Sequence, residues 1–310
     1  MNTSNSRSPK MVQCAPDGVI VVNKPAGWTS HDVVARMRGI AGTKRVGHLG
    51  TLDPIATGVL PLMIGQATRL ARFLENSTKT YEAVVRFGFA TSTYDKAGEP
   101  GPESEVSLTP ELLEQHLAPM RGEIDQVPPP VSAKKIGGVP AYKLVRANVP
   151  VDLAPVRITI EELELKGFDV DRAKINVRCT TGTYIRSIAH EWGKALGCGA
   201  HIEELSRTSS GAFTLEQAWT LEALQALKDE GRLAEAVLPL ATLPPTLPSV
   251  TVDEATARQI RQGRDFHVSP FRQSPGSEFI RALSPDGELV AIGEAILPHM
   301  YHPTVVMATE

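Results

Sequence analysis

The chain opens its patterned part with a short apolar run, Gly18 to Asn23, of the length of a buried strand. Val33, Val34, Met37 and Ile40 then recur at helical spacing, which predicts a helix capped by Thr29 or Ser30. Gly47 to Gly58 is rich in Gly, Thr and Pro and reads as a loop. Gln66 to Leu74 reads as a second short helix. From Lys79 to Ala90 the period drops to two, with Tyr81, Ala83, Val85, Phe87 and Phe89 on one face of a strand. Residues 95–125 form an acidic insertion of loops and helix. Val127 to Pro140 carries four prolines and two glycines, which argues against any regular element. Ile175, Val177 and Cys179 alternate as a strand. A turn at Thr181-Gly182-Thr183 leads into a helix with Ile185, Ile188, Ala189, Trp192 and Leu196 on one face, and Thr183 is the expected N-cap. Leu215 to Leu227 reads as one further helix.

Prolines 244, 245 and 248 mark residues 242–249 as a linker. Beyond it come a helix near Asp253 to Gln262 and two strands, Ile280 to Leu283 and Leu289 to Ile292, joined by Ser284-Pro285-Asp286-Gly287. The pattern therefore divides the chain into a flexible leader (1–17), a large domain (18–245) with an insertion at about 95–150, and a small β-rich module (246–310). No internal repeat is visible.

Composition adds exclusions. With 42% apolar and 22% charged residues among 310, the chain has the make-up of a globular protein. The run 19–22 is far too short to span a membrane, and the polar start shows no signal-peptide pattern. Cys14, Cys179 and Cys198 form no CxxC pair, so neither a zinc site nor a disulfide framework is expected. Those features together predict a cytoplasmic protein without membrane contact. The net charge of −3 speaks against a nucleic-acid partner when taken whole. Its distribution changes that reading. Residues 24–90 hold nine Lys and Arg, Lys24 among them, against Asp32, Asp53, Glu75 and Glu82. Residues 126–150 carry Lys134, Lys135, Lys143 and Arg146 and no acid, which makes this loop a candidate for gripping RNA. Residues 95–125 hold eight acids against Lys96 and Arg121.

The loop GHLGTLDPIATG (47–58) is the richest in candidate chemistry. Its glycines permit close approach of a ligand, and Pro54 restricts Asp53 to an extended backbone. Taken alone, an aspartate before proline is usually a turn former. The longer stretch GHLGTLDPIATGVL resembles the catalytic motif of the TruB family of pseudouridine synthases. NKPAGWTSHDVV (23–34), KTYEAVVRFG (79–88), PPPVSAKKIGGVPAY (128–142), CTTGTYIRSIAHEWG (179–193) and LSRTSSGAF (205–213) resemble further segments of the same family in the same order. The resemblance departs at Val131, where an aromatic is common, and at Ser206, where a second arginine is common.

The resemblance implies an α+β fold. Its central sheet is mixed and mainly antiparallel, flanked by helices, and a small C-terminal β-barrel of the PUA type follows. It also implies isomerisation of uridine 55 in the T-loop of tRNA, with the base flipped out of the RNA. Asp53 is then the nucleophile, Tyr81 the stacking platform with a possible hand in removing the C5 proton, and Arg186 the partner that keeps Asp53 ionised against the effect of burial. His48, Tyr184 and Leu205 are implied contacts of the extruded base, with Lys24 and Lys134 as further substrate-binding residues. Pseudouridine is an isomer of uridine, so the reaction calls for no cofactor and no metal. His190-Glu191 and His201 to Glu203 lack metalloprotease spacing. A monomer with no obligate protein partner is expected. Two other readings share the scaffold: a guide-RNA-dependent synthase, and a non-catalytic tRNA folding helper. A hydrolase using Asp53 and a second carboxylate is set aside because no paired acid lies near the loop in sequence.

Overall fold

The computed structural model describes residues 15–75, 77–132, 134–147, 149–269 and 277–308. Most of the expected leader, residues 1–14, lies outside them. In chain order the elements begin with β1 (Gly18–Lys24), α1 (Ser30–Ala41), β2 (Val46–His48), β3 (Thr57–Ile64), α2 (Ala71–Leu74) and β4 (Lys79–Phe87). Then come α3 (Pro110–Leu117), β5 (Gly122–Gln126), β6 (Lys135–Ile136), β7 (Val139–Pro140), α4 (Ala141–Arg146), β8 (Val156–Asp169) and β9 (Arg172–Cys179). The first sheet is completed by α5 (Ile185–Ala195), β10 (Ala200–Ser210), β11 (Phe213–Thr214), α6 (Leu221–Asp229) and β12 (Leu238–Pro239). The C-terminal part contains β13 (Ser249–Thr251), α7 (Glu254–Arg261), β14 (Phe266–His267), β15 (Phe279–Leu283), β16 (Leu289–Leu297) and β17 (Met300–Val306).

A ten-stranded sheet runs β12-β1-β3-β10-β4-β9-β8-β5, with β2 beside β3 and β11 beside β10. Its pairs are antiparallel except β10 with β3, so the sheet is mixed and mainly antiparallel as expected. Alternation along β4 buries Tyr81, Ala83, Val85 and Phe87 on the helix-covered face. Trp192 of α5 meets Phe87 edge-on at 5.0 Å. Helix α1 presents Val33, Val34, Met37 and Ile40 to the same core, and Thr29 and Asp32 close a reciprocal capping box at its start.

The second sheet is five-stranded, β13-β15-β16-β17-β14, and curls into a half-barrel consistent with the expected small PUA-like module. It packs on the first sheet. Leu289, Ile292, Val305 and Met307 share one apolar cluster with Val19, Val21, Val59, Met63 and Leu70. Gln66 clasps Ala308 both ways, Nε2 donating to its carbonyl at 3.0 Å and Oε1 accepting from its N–H at 2.6 Å.

Four local expectations change. The loop 47–58 begins within β2 and ends within β3, a strand hidden in the sequence by Pro61, whose carbonyl accepts the Leu49 N–H. The N-cap of α5 is Tyr184, not Thr183, and the Gln126 side-chain amide holds it, accepting from Tyr184 N at 2.8 Å and donating to Tyr184 O at 3.0 Å. The single helix expected over 215–227 is a 3-10 turn, a bridge of Trp219 to β1, and then α6, which Thr220 caps anew. The Pro-rich segment does contain a minimal ladder, β6 with β7, turning at Gly137-Gly138.

Gly58 is where β3 meets β10. Its φ is +99°, and a Cβ there would lie 2.2 Å from the Arg207 carbonyl oxygen. Gly58→Ala is therefore expected to cost about 3 kcal/mol or more of stability, from backbone strain and a clash with main chain. Urea unfolding measures it, and a loss below about 1 kcal/mol would contradict the close approach.

Candidate active site

The loop between β2 and β3 is tied down by backbone bonds at almost every step. Arg207 Nη2 donates to Gly50 O at 3.0 Å. Ser30 Oγ accepts from Leu52 N at 2.9 Å and donates to Leu52 O at 3.2 Å. Ala56 N donates to Asp53 O at 3.0 Å, and Gly27 N to Pro54 O at 2.8 Å. Leu49, Leu52 and Ala56 are buried and anchor the loop by packing. What the loop presents to the cleft is the Asp53 carboxylate.

Arg186, in the first turn of α5, meets that carboxylate at two points. Its Nη2 hydrogen bonds Oδ1 at 3.0 Å, and its Nε lies 2.8 Å from Oδ2 in an ion contact. The guanidinium also donates to Thr93 O from Nη1 at 2.9 Å and to Val131 O from Nη2 at 3.0 Å. Asp95 stands behind it, with Oδ2 3.6 Å from Nη1. The absence of a second acid near the loop was a reading of sequence distance, and space corrects it: a carboxylate–guanidinium–carboxylate row is built from loop, helix and insertion. The two acids do not face each other across an open site. Arg186 lies between them, so the arrangement is not that of a paired acid and base.

Burial is the largest influence on Asp53 and pushes its carboxyl above the ordinary carboxylate range, and Asp95 adds to the push. Arg186 opposes it, as expected, but burial outweighs the guanidinium. Tyr81, on β4 opposite Arg207 of β10, is buried, and desolvation raises its phenol pKa. Tyr184 is likewise shifted upward by burial.

The cleft encloses about 250 Å³ and brings together Asp53, Tyr81, Tyr184, Arg186 and Leu205, with Lys79, Ser132 and Arg207. A larger concavity of about 600 Å³, lined by Lys96, Lys166 and Lys174 among others, shares Leu205 with it. Three other expected contacts lie off the lining of the cleft. Lys24 is fully buried beneath the loop, its Nζ donating to Pro25 O at 2.9 Å, Trp28 O at 2.6 Å and Pro54 O at 3.4 Å. Burial drives its pKa down to about 8, with Asp53 opposing. His48 sits in β2 with its ring edge-on to His31 at 5.6 Å. Lys134 is exposed on the insertion. Sequence reasoning missed Ser30, Lys79, Asp95, Gln126 and Arg207. Asp95 was masked by its acidic neighbours. Lys79 and Arg207 stood inside recognised segments but carried no signal of burial.

A mixed sheet thus holds an Asp–Arg pair in a cleft that an aromatic and a leucine also line, an arrangement with room and chemistry for one planar group beside a carboxylate. Comparison with known proteins makes the class specific. Residues 38–185 match the family model described as TruB family pseudouridylate synthase, N-terminal domain, and residues 186–243 match the tRNA pseudouridylate synthase B C-terminal domain. A protein of Solibacter usitatus (strain Ellin6076) named tRNA pseudouridine synthase B is 58% identical over 94% of this chain and 100% of its own length. A protein of the same name from Ralstonia nicotianae is 42% identical over 87% of each chain. Among solved structures, a chain of a Cbf5-Nop10-Gar1 complex is 26% identical with a TM-score of 0.69, covering 94% of this chain and 84% of that one. The chain belongs to the TruB family of pseudouridylate synthases.

Three expectations test the electrostatics. The acidic limb of the single-turnover rate should lie above an ordinary carboxylate pKa and move further up in pH in Arg186→Ala, because the opposing guanidinium is gone. Arg186→Lys, which keeps the charge but not the planar fork, should slow turnover at least about tenfold, or roughly 1.4 kcal/mol in the barrier. An unmoved limb would show that Arg186 does not tune Asp53.

Lys24 supplies a third. Its pKa is about 8 in the fold and 10.5 ordinarily, so the unfolded chain binds more protons between those values. The stability of the wild type relative to Lys24→Met should therefore rise as pH climbs from about 8 to 10.5. Urea midpoints across that window read it, and a flat difference would place the lysine in water.

Proposed function

We propose that this protein isomerises uridine to pseudouridine at position 55 in the T-loop of tRNA, with Asp53 as nucleophile. The observation that carries the reading is the Asp53 carboxylate, held by Arg186 inside a cleft that Tyr81 and Leu205 also line. The target base leaves the RNA stack and enters this cleft, where Tyr81 offers a ring to stack on and Leu205 an apolar contact. Asp53 attacks as the N1–C1′ bond breaks. The base turns, C5 bonds to C1′ as the Asp53–C1′ bond breaks and frees the carboxylate, C5 loses its proton and N1 gains one. Atoms and electrons balance within the nucleoside, so nothing outside it is consumed. Binding the nucleotide removes water from Asp53, which sharpens its pairing with Arg186.

Residues 246–310 and the basic part of the insertion, with Lys134, hold the RNA backbone and shape in this reading. Lys24 acts from beneath, keeping Pro54 and hence Asp53 in place, and His48 packs near the extruded base. The enzyme works alone in the cytoplasm as a monomer. Likeness to the Cbf5 chain of the Cbf5-Nop10-Gar1 complex favours a second reading, a synthase directed by guide RNA. The full-length match to the Solibacter protein supports the free-standing enzyme.

The test is tritium release from C5 of an unmodified tRNA transcript, with no guide RNA present. Wild type should release it stoichiometrically. Asp53→Asn should abolish release while transcript affinity stays within about threefold. Appreciable turnover by a verified Asp53→Asn protein would sink the nucleophile, and a wild type silent without added guide would favour the second reading.

A further inference from the structure

The turn that follows β4 carries both groups that grip Arg186 from behind, the Thr93 carbonyl and the Asp95 carboxylate. It is braced within itself. Asp95 Oδ1 accepts from Thr93 Oγ1 at 2.7 Å and from Ala97 N at 3.0 Å, and Thr91 Oγ1 donates to Asp95 O at 2.7 Å. It is also laced to β10, where Ile202 N donates to Tyr94 O and Lys96 N donates to Ile202 O. None of these bonds uses the side chain between the two gripping residues. Tyr94 nevertheless has φ +64°, the left-handed region that bulky residues avoid.

Its ring lies flat on the ring of His190, with centroids 3.7 Å apart and planes 8° apart. His190 follows Arg186 by four residues in α5, so the two side chains leave the same helix face one turn apart. Helix α5 thus holds the 93–95 turn at two points, through the guanidinium and through the stacked imidazole. Among the described residues the imidazole Nδ1 is buried without a hydrogen-bond partner, so no hydrogen bond from that nitrogen competes with the stack in placing the ring. Burial also lowers the His190 pKa, which favours a neutral ring against the tyrosine.

We propose that the Tyr94–His190 stack is a positioning device for the reaction: it fastens the 93–95 turn to α5 in the left-handed conformation that presents Asp95 and the Thr93 carbonyl to Arg186, and so aims the guanidinium at Asp53. Neither residue touches a reacting atom. The proposal rests on the reading of this cleft as a pseudouridine synthase site.

Tyr94→Asn keeps a residue tolerant of positive φ and removes the ring, and His190→Ala removes the other half of the stack. His190→Phe keeps a flat partner. Single-turnover tritium release at saturating transcript should fall about tenfold or more in Tyr94→Asn and in His190→Ala. Transcript affinity should stay within about twofold in both. His190→Phe should recover most of the rate, and the double variant should be no slower than either single one, because the two act as a unit. Added to Asp95→Asn, Tyr94→Asn should cost nothing more. Hydrogen exchange at the amides of Tyr94, Lys96, Ala97 and Gly98 should quicken in both single variants and not in His190→Phe. Wild-type rates in the single variants, multiplicative losses in the double, or unchanged exchange would each overturn the proposal. A wild type that forms no pseudouridine would overturn the functional reading instead, while the exchange measurement still decides whether the stack holds the turn.

Discussion

The structure depends on one buried cation. Arg186 has a side chain only 4% exposed, and a guanidinium carries five N–H donors that cannot be neutralised by losing a proton. Left unpaired in such a place it would cost several kcal/mol. Its partners come from three separate stretches of chain: Asp53 on the loop between β2 and β3, Thr93 and Asp95 on the turn after β4, and Val131 in the Pro-rich insertion. Satisfying the arginine therefore draws these stretches together. The orientation of Asp53 follows from the same requirement that makes the core complete, so the site and the fold are not separable problems. Gly193 shows how tightly the helix is seated, since a Cβ there would lie 2.2 Å from Ala200 N at the start of β10.

Elements with strong local pattern were legible before any coordinates. A helix capped by Thr29 or Ser30, the two-residue period of β4, and a helix near Asp253 to Gln262 all follow from spacing and residue type; the fold uses Thr29 and caps α7 with Asp253. What escaped was set by partners distant in sequence. Thr183 is a good cap by composition, yet Gln126, 58 residues away, satisfies the start of α5 instead. β3 reads poorly because Pro61 interrupts it. The site divides in the same way. Asp53, Tyr81, Tyr184, Arg186 and Leu205 line one cleft, and their segments were recognised by resemblance rather than by any intrinsic mark. Asp95 had no mark at all, since an acid among acids reads as surface until its 5% exposure and its place behind Arg186 are known.

The C-terminal sheet shows the same dependence on contacts that a linker conceals. Three prolines suggested a tether between separate units. The two sheets instead bury a common apolar cluster, and Phe73 meets Phe279 edge-on at 5.1 Å across the junction. Arg281 of β15 reaches back to Leu247 O at 2.9 Å and Ala241 O at 2.6 Å, which pins the Pro-rich segment to the sheet that follows it. A segment rich in proline is stiff, and stiffness serves docking as well as separation.

Charge follows a local logic as well. Several of the acids behind the net charge of −3 are engaged away from the cleft. Glu114 pairs with Arg121, Glu123 and Asp125 with Arg157, Glu161 and Glu162 with Arg178, and Asp171 and Glu203 with Arg172. Such exposed pairs contribute little stability, about 0–1 kcal/mol each, but they cancel charge where it stands. The cations around the cleft are held differently. Lys79 donates to Ser77 O and Glu75 O, Arg207 to Val59 O and Gly50 O, and Lys24 to three carbonyls. Carbonyls bind a cation without neutralising it. Of the charged residues that line the cleft, Lys79, Arg186 and Arg207 outnumber Asp53, so the lining is net positive in a molecule whose total is negative. For a polyanionic substrate it is this local field that steers and binds, because beyond about 8–10 Å in physiological salt the rest of the surface is screened.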